Sequence, residues 1–206
     1  MNGKLAATRT NFLKVKKNLL VTREGHELLD EKRRILLNEL SGLASIVARA
    51  EEALDQALEQ AYAAVDRATV AMGQPALEQL SFAVDVKTDL SLSQRRLMGV
   101  STPVVRMEMV DHPPYFSPHQ VSLYVDEAIV RFKEILKMLS ALAEKKIALL
   151  RLAHEASRTI RKVRAMEKIQ LPELEKTLKF IGERLDEESR EAFSILKLLK
   201  ERERRR

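Results

Sequence analysis

The chain has 206 residues with 4% aromatic residues, six Gly, six Pro and no Cys, a composition typical of long helices and coiled coils. The lack of Cys excludes disulfides and thiolate metal sites. The net charge of +6 is concentrated at the ends, with nine Lys/Arg against four acids in residues 1–34 and six against two in residues 195–206. No apolar run approaches the roughly 20 residues of a membrane span, which predicts no direct membrane insertion.

Residues 1–72 are predicted to form one long helix, because apolar residues recur at alternating steps of three and four. Fifteen of the eighteen positions of two heptad seams are apolar, and Gly73 and Pro75 end the pattern. One seam contains Phe12, Leu19, His26, Arg33, Leu40, Val47, Leu54, Ala61 and Ala68, and the other contains Val15, Thr22, Leu29, Leu36, Leu43, Ala50, Ala57, Ala64 and Ala71.

Residues 73–118 change character and predict a short β-hairpin or small β-rich cap. FAVDVKTDL and VVRMEMV alternate apolar and polar residues, with Gly and Pro residues as punctuation between and around them. On this interpretation two strands share an apolar face, made of Phe82, Val84 and Val86 on one strand and Val105, Met107 and Met109 on the other.

Residues 119–206 predict a second long helix that continues through Pro172. Its two seams keep a constant heptad phase on both sides of the proline, which favours one bent helix over two separate ones. Proline removes a backbone donor and clashes with the carbonyl four residues back, so we expect a kink near Pro172. One seam runs from Val125 through Leu139, Glu167 and Ile181 to Ile195, and the other runs Ile129, Leu136, Ala143, Leu150, Ser157, Arg164, Leu171, Leu178, Leu185, Ala192 and Leu199.

Together these elements predict a mainly α fold: a long antiparallel two-helix coiled coil with a short β-hairpin cap between the helices. The whole chain is expected to form one elongated domain. Because each helix has a single neighbour, much apolar surface is left for partners.

Several seam positions are polar, and in an antiparallel pair that closes near residues 71 and 120 they lie close together. Facing residues then have numbers that sum to about 190, which places His26 near Arg164 and Glu167. One interpretation is a polar layer, with Arg33 as a further member, that fixes the register of the coiled coil. The other is local solvent exposure where the helices splay.

The sequence carries no pattern of a catalytic or cofactor site. His26, His112, His119 and His154 are scattered and form no HxxxH pair, and the six glycines build neither a GxxxxGK[ST] nor a GxGxxG loop. We therefore expect no enzyme activity, no metal and no cofactor.

The first helix contains the stretch TRTNFLKVKKNLLVTREGHELLDEKRRILLNEL. It has Thr-Arg, then Leu-Lys, then a Gly followed by Leu-Leu and a Lys-rich helix, at Thr8, Arg9, Leu13, Lys14, Gly25, Leu28, Leu29, Lys32 and Arg33. This pattern resembles the N-terminal signature of the D subunits of V/A-type ATP synthases.

The second helix carries the other signature of that family, and the middle stretch MGVSTPVV also resembles its mid-chain segment. The departures are Arg164 where the family usually has Asn, Met166 for Leu and Leu171 for Ile. The matching residues within TIRKVRAMEKIQLPELEKTLKFIGERL are Thr159, Arg161, Lys162, Val163, Ala165, Glu167 and Pro172.

The resemblance implies a central stalk, or rotor shaft, that couples ion translocation through a membrane ring to ATP synthesis or hydrolysis in a hexamer of A and B subunits. The implied partners are the F subunit, the catalytic A and B subunits and the C (d) subunit, and through the last the proteolipid ring. The implied location is peripheral, on the cytoplasmic side of the membrane. On this interpretation the basic ends face the hexamer through Arg9, Lys14, Lys16, Lys17, Lys197, Lys200 and Arg202.

Three other classes share parts of this pattern. A self-associating coiled-coil scaffold without motor function has the same periodicity and differs only in its partners. A nucleic-acid binder could use the basic ends, but the regular seams and the lack of stacking aromatics argue against it. The gamma subunit of F-type synthases carries a sizeable α/β domain between its helices, for which roughly 45 residues leave no room.

Overall fold

The computed structural model describes residues 6–97, 99–117, 119 and 121–204. It has the predicted mainly α architecture, with two long helical segments and a β-hairpin between them; the first and last residues of the predicted helices, 1–5 and 205–206, lie outside the described residues. The elements are α1 Arg9–Met72, α2 Gln74–Ser81, β1 Val86–Leu97, β2 Val100–Asp111, α3 Leu123–Ala165, a π-helical turn Met166–Gln170 and α4 Leu171–Arg204.

The chain divides into two compact units. We call residues 1–35 with 157–206 the end unit, and residues 36–156 the hairpin unit. The prediction of a single elongated domain stays a prediction.

Side-chain contacts show that the helices are antiparallel within each unit. In the end unit, the Arg23 guanidinium lies 2.6 Å from the Glu175 carboxylate. In the hairpin unit, Lys146 pairs with Glu51 at 2.5 Å, and an Arg131 guanidinium N–H donates to the side-chain oxygen of Gln60 at 2.7 Å. Residue numbers therefore rise along one helix as they fall along the other.

The two predicted seams of α1 are its inward-facing sides. Every seam position from Phe12 to Ala68 is buried or half-buried, and only the last one, Ala71, is exposed. Ala61, Ala64 and Ala68 are fully buried, because small side chains let the backbones of two helices approach closely. The buried members of the two seams are Val15, Leu19, Leu36, Val47, Leu54 and these three alanines.

In α3, the predicted seam that begins at Ile129 is displaced by one residue along the chain. The predicted seam positions Leu136, Ala143, Leu150, Ser157 and Arg164 are exposed. The buried residues lie one position earlier along the chain, at Ala128, Ile135, Leu142, Ala156 and Val163.

The π-helical turn explains this shift. Leu171 N–H donates to the carbonyl of Met166, five residues back, so the turn accommodates one residue more than an α-helical turn. Beyond it, Leu171, Leu178 and Leu185 are half-buried and the predicted phase applies again. The helix is thus continuous from Leu123 to Arg204, as predicted, whereas the predicted constant phase was wrong. A kink at Pro172 itself stays a prediction.

The cap between the long helices contains the predicted β-hairpin, but it also contains a helix that was not predicted. It begins with the short helix α2, and α3 begins at Leu123, four residues later than the predicted boundary. Phe82 is 89% exposed and, like Val84, precedes β1, so neither belongs to a shared strand face. The side chains that share a face with Met109, Met107 and Val105 are those directly opposite them: Thr88, Leu90 and Leu92.

The two strands are joined by a tight turn. Leu97 pairs with Val100, and Gly99, which precedes Val100, has a φ of +80°. Side chains disfavour this conformation, which accounts for a glycine at this position.

The hairpin end packs into one of the two clusters of buried apolar residues in the hairpin unit. This cluster contains Leu36, Val100, Leu152 and Ala156, with Leu97 at its margin. The other contains Val47, Leu54, Ala61, Ile135 and Leu142.

We predict that Leu152→Ala lowers the free energy of unfolding by about 2–5 kcal/mol, because it leaves a cavity in the cluster that anchors the hairpin. Leu152 is 1% exposed, whereas Leu150, on the same helix, is 69% exposed. Leu150→Ala is therefore the matched control and should stay within about 0.5 kcal/mol of the parent chain. Urea unfolding followed by circular dichroism measures both, and equal losses would contradict the packing described.

Candidate functional site: docking surfaces

The first part of α1 packs against α4 in the end unit. Val15, Leu19 and Ile181 form its buried seam, and the Phe12 ring packs against Gly182, where an added Cβ would lie 3.5 Å from the ring. All seven basic residues predicted to face the hexamer are exposed in this unit: Arg9, Lys14, Lys16, Lys17, Lys197, Lys200 and Arg202.

The last part of α4 exposes large apolar side chains. Phe12 lies opposite Gly182, and α1 begins only three residues before Phe12, whereas α4 continues to Arg204. The predicted seam positions Ala192, Ile195 and Leu199 are therefore exposed rather than packed. The exposed apolar residues of this segment are Phe193, Ile195, Leu196, Leu198 and Leu199. The sequence predicts that apolar surface is left without a neighbouring helix, but only the register of α1 against α4 assigns that surface to these five residues.

The four residues of the predicted polar layer differ in their exposure. Arg164 and Glu167 are exposed, which corrects their placement in the seam. His26 and Arg33 are half-buried on α1, and His26 Nε2 and Arg33 Nε are buried atoms without a hydrogen-bond partner in the described residues. The Arg33 guanidinium also lies 2.7 Å from Asp30 on its own helix. A register-fixing role of His26 and Arg33 stays a prediction.

The hairpin lies with the outer edge of β2 along α3. Arg151 donates to the carbonyl of Ser101 at 2.7 Å, and the N–H of Val105 donates to the Glu144 carboxylate at 2.8 Å. These bonds satisfy backbone groups on the outer edge of β2 that a third strand would otherwise pair. The hairpin is therefore held against α3 by polar contacts along this edge as well as by the apolar cluster around Val100.

The base of the hairpin is fastened by a cluster around Asp111. The Asp111 carboxylate accepts from the Lys133 ammonium and from the Tyr115 hydroxyl. The Lys133 ammonium also lies 4.9 Å from the centre of the Tyr115 ring, a cation–π distance. This cluster ties the segment after β2 to α3.

An apolar cavity of about 530 Å³ opens in the hairpin unit. Helix α2 and the start of β1 line one side through Leu77, Leu80 and Val86, and α3 lines the other through Ile129 and Phe132. The cavity has room for an apolar side chain of a partner, but no contact in the structure indicates its occupant.

Where α1 ends and α3 begins, apolar side chains are again exposed, among them Val70 and Leu123. A charged cluster stands beside them. Glu127 accepts from Arg131 at 2.8 Å and from Arg67 at 3.3 Å. The hydrogen bond from Arg131 is the main reason why the pKa of Glu127 lies below its ordinary value of 4.5, with Arg67 contributing less.

The described residues contain no group of three His, Cys, Asp or Glu side chains placed to hold a metal ion. Among the helices that the structure describes, none combines the length and the apolarity needed to span a membrane.

The fold and its surfaces define a coiled-coil hairpin protein with exposed apolar side chains in both of its units. The family model for the D subunit of ATP synthase matches residues 11–201. The chain belongs to this D-subunit family, and is thus a non-catalytic stalk component of an A-type or V-type ATP synthase.

Relatives from archaea and bacteria cover nearly the whole chain. The D subunit of the A-type ATP synthase of Methanobrevibacter smithii is 35% identical over 198 residues, which cover 94% of this chain and 85% of the relative. The D subunit of the V-type ATP synthase of Thermotoga neapolitana is 29% identical, over 96% and 98% of the two chains. The A-type counterpart from Thermococcus kodakarensis is 33% identical, over 94% and 92%.

We predict that Arg131→Gln raises the pKa of Glu127 toward its ordinary value, and does so more than Arg67→Gln, the matched control. A lowered folded-state pKa means that the ionised carboxylate stabilises the fold at neutral pH, and that this contribution is lost as the pH falls through the folded-state pKa. The Arg131→Gln variant should therefore lose less stability on acidification than the parent chain. Carboxyl NMR titration measures the pKa values, and an equal rise in both variants would contradict the assignment to Arg131.

Proposed function

We propose that the chain is the central rotor shaft of its ATP synthase and couples ion flow through the membrane ring to ATP synthesis or hydrolysis in the A/B hexamer. The observation that carries this proposal is the last part of α4, which exposes five large apolar side chains among basic residues. Exposed apolar surface of this kind marks a protein interface rather than a free surface.

The catalytic A and B subunits are the partners we assign to the end unit. Both chain ends contribute basic side chains to this unit, and acidic surfaces of a hexamer would attract them at long range. Because exposed charge pairs are weak and screened by salt, such contacts hold the ends in place without fixing them to one position. That property suits an element that must turn inside a ring.

Rotation can change nucleotide affinity only if the shaft contacts the three catalytic interfaces differently. Coupling requires differential interaction free energy between states, and an asymmetric object supplies it as it turns. In this chain the hairpin lies against α3, and α4 continues past the beginning of α1. The hairpin makes the hairpin unit unequal around its helix pair, and the unpaired part of α4 makes the end unit differ from a regular two-helix rod.

The remaining partners are assigned to the hairpin unit. The F subunit would bind along the shaft, where the apolar cavity between α2, β1 and α3 offers a groove. The C (d) subunit would contact the exposed apolar residues where α1 ends and α3 begins, and join the shaft to the proteolipid ring. The chain would then lie on the cytoplasmic side of the membrane as a peripheral component.

We predict that the double variant Lys197→Glu, Lys200→Glu binds an isolated hexamer of A and B subunits about 10-fold or more weakly than the parent chain at low ionic strength. Added salt should reduce this difference in affinity between variant and parent, because it screens the charges. The matched control is Arg49→Glu with Lys137→Glu, two exposed charges of the hairpin unit, which should bind nearly as the parent does. Titration of the hexamer with labelled chain measures the affinities. Equal weakening in both double variants would contradict a hexamer-facing end.

The orientation has a separate test, because the chain contains no natural Cys. A photo-cross-linker on Ser194→Cys should label A or B subunits in the assembled complex, whereas one on Leu123→Cys should not. The reverse pattern would overturn the proposed orientation while leaving membership of the complex intact.

A further inference from the structure

Strand β1 presents a free edge of the sheet. Among the described residues the sheet consists of β1 and β2, and the outer edge of β2 already lies on α3 through Ser101 and Val105. In the part of the chain that the structure describes, β1 pairs with β2 alone, and every residue from Lys87 to Arg96 is exposed. Twelve residues of strand therefore offer one row of backbone groups to a partner.

The pairing identifies which backbone groups point outward. Val105 directs its N–H away from β1, to Glu144, so Val105 and Leu92 form a pair without mutual hydrogen bonds. Pro103, which has no N–H, lies opposite Gln94 and fits the same alternation. In the middle of β1, the residues whose N–H and C=O groups face the outer edge are thus Thr88, Leu90, Leu92 and Gln94.

The central stretch of this edge, residues 90–94, lacks the devices that usually prevent strand addition. Natural edge strands are short, bulged, interrupted by Pro or charged along their length. Here all twelve residues pair in unbroken register, without Pro, and the central stretch 90–94 carries no charge. Leu90 and Leu92 within it are 55% and 75% exposed. A two-stranded hairpin of this kind gains stability from a third strand.

The charges that flank the central stretch indicate the chemistry of the occupant. Lys87, Arg95 and Arg96 outnumber Asp89 on the exposed strand. Opposite charges on neighbouring strands stabilise pairing, and like charges destabilise it. An acidic strand therefore fits better than a second copy of this chain, which would bring the same excess of positive charge.

We propose that β1 accepts an extended, acidic segment of another protein of the ATP synthase complex as a third strand. Backbone hydrogen bonds to the outward groups of β1 supply the affinity. Acidic side chains near Arg95 and Arg96, and apolar side chains beside Leu90 and Leu92, supply the specificity. This inference rests on the proposed function, since the occupant comes from the same complex.

Residue-resolved hydrogen–deuterium exchange of the full chain, alone and in the assembled complex, tests the proposal. The amides of Thr88, Leu90, Leu92 and Gln94 should exchange about 100-fold more slowly in the complex. The inward amides of β1 serve as the internal control, because β2 protects them in both states. A different result is fast exchange of the four outward amides in a complex in which the amides of the last part of α4 are protected. That result would overturn the proposal of a third strand, whereas the proposed function would stand.

Two further outcomes separate the alternatives. Protection of the four amides in the isolated chain, rising with its concentration, would show a second copy as the occupant and overturn the proposal. Failure of the chain to enter the complex would overturn the proposed function, and this inference with it.

A proline variant gives an independent test. Leu92→Pro removes one outward N–H and places a ring on the outer edge, while the ladder to β2 keeps its bonds, as it does beside Pro103. Leu92→Thr keeps the N–H and is the matched control. We expect the proline variant to bind the rest of the complex about 10-fold more weakly, and the threonine variant to bind within about twofold of the parent chain. Unchanged binding of Leu92→Pro, with the inward amides of β1 still protected, would overturn the proposal.

Discussion

Burial of the α1 seam is the interaction on which the rest of the structure depends. A helix of 64 residues has no stable core of its own, and its apolar side chains become buried only against an antiparallel neighbour. The seam residues change along α1, from Val15 and Leu36 to the fully buried Ala61, Ala64 and Ala68. Where the side chains are alanines, the two backbones can come closer together.

That requirement also accounts for the π-helical turn. Val163 and Leu171 both face inward and are eight residues apart, whereas a heptad seam requires seven. An uninterrupted α-helix would rotate the seam by about one residue, or roughly 100°, between them. The π turn takes up the extra residue directly before Pro172, where the α-helical ladder must lose a bond in any case. One local irregularity thus accommodates both the proline and the change of phase.

The sequence predicted the class of fold, because heptad periodicity over dozens of residues is a strong signal and Gly73 with Pro75 marks a clear end. It could not predict the one-residue shift, because α3 is apolar on two adjacent stripes. Leu150 and Leu152 are equally apolar, yet only Leu152 is buried. Without the position of the neighbouring helix and hairpin, either stripe is a valid seam. The misplacement of Arg164 and Glu167 follows directly from that ambiguity.

For the hairpin, too, the sequence predicted the element but not which residues belong to it. Alternation in FAVDVKTDL indicated a strand but not its beginning, because Phe82 and Val84 continue the pattern of Val86 although the chain there is leaving a helix. Register depends on the turn, and only the pairing of Leu97 with Val100 establishes it. Once that register is known, the position of Pro103 and the bond from Val105 to Glu144 have one common explanation: β2 directs its spare backbone groups to α3. The corresponding groups of β1 are directed away from the helices, which makes this strand, rather than β2, the edge open to a partner.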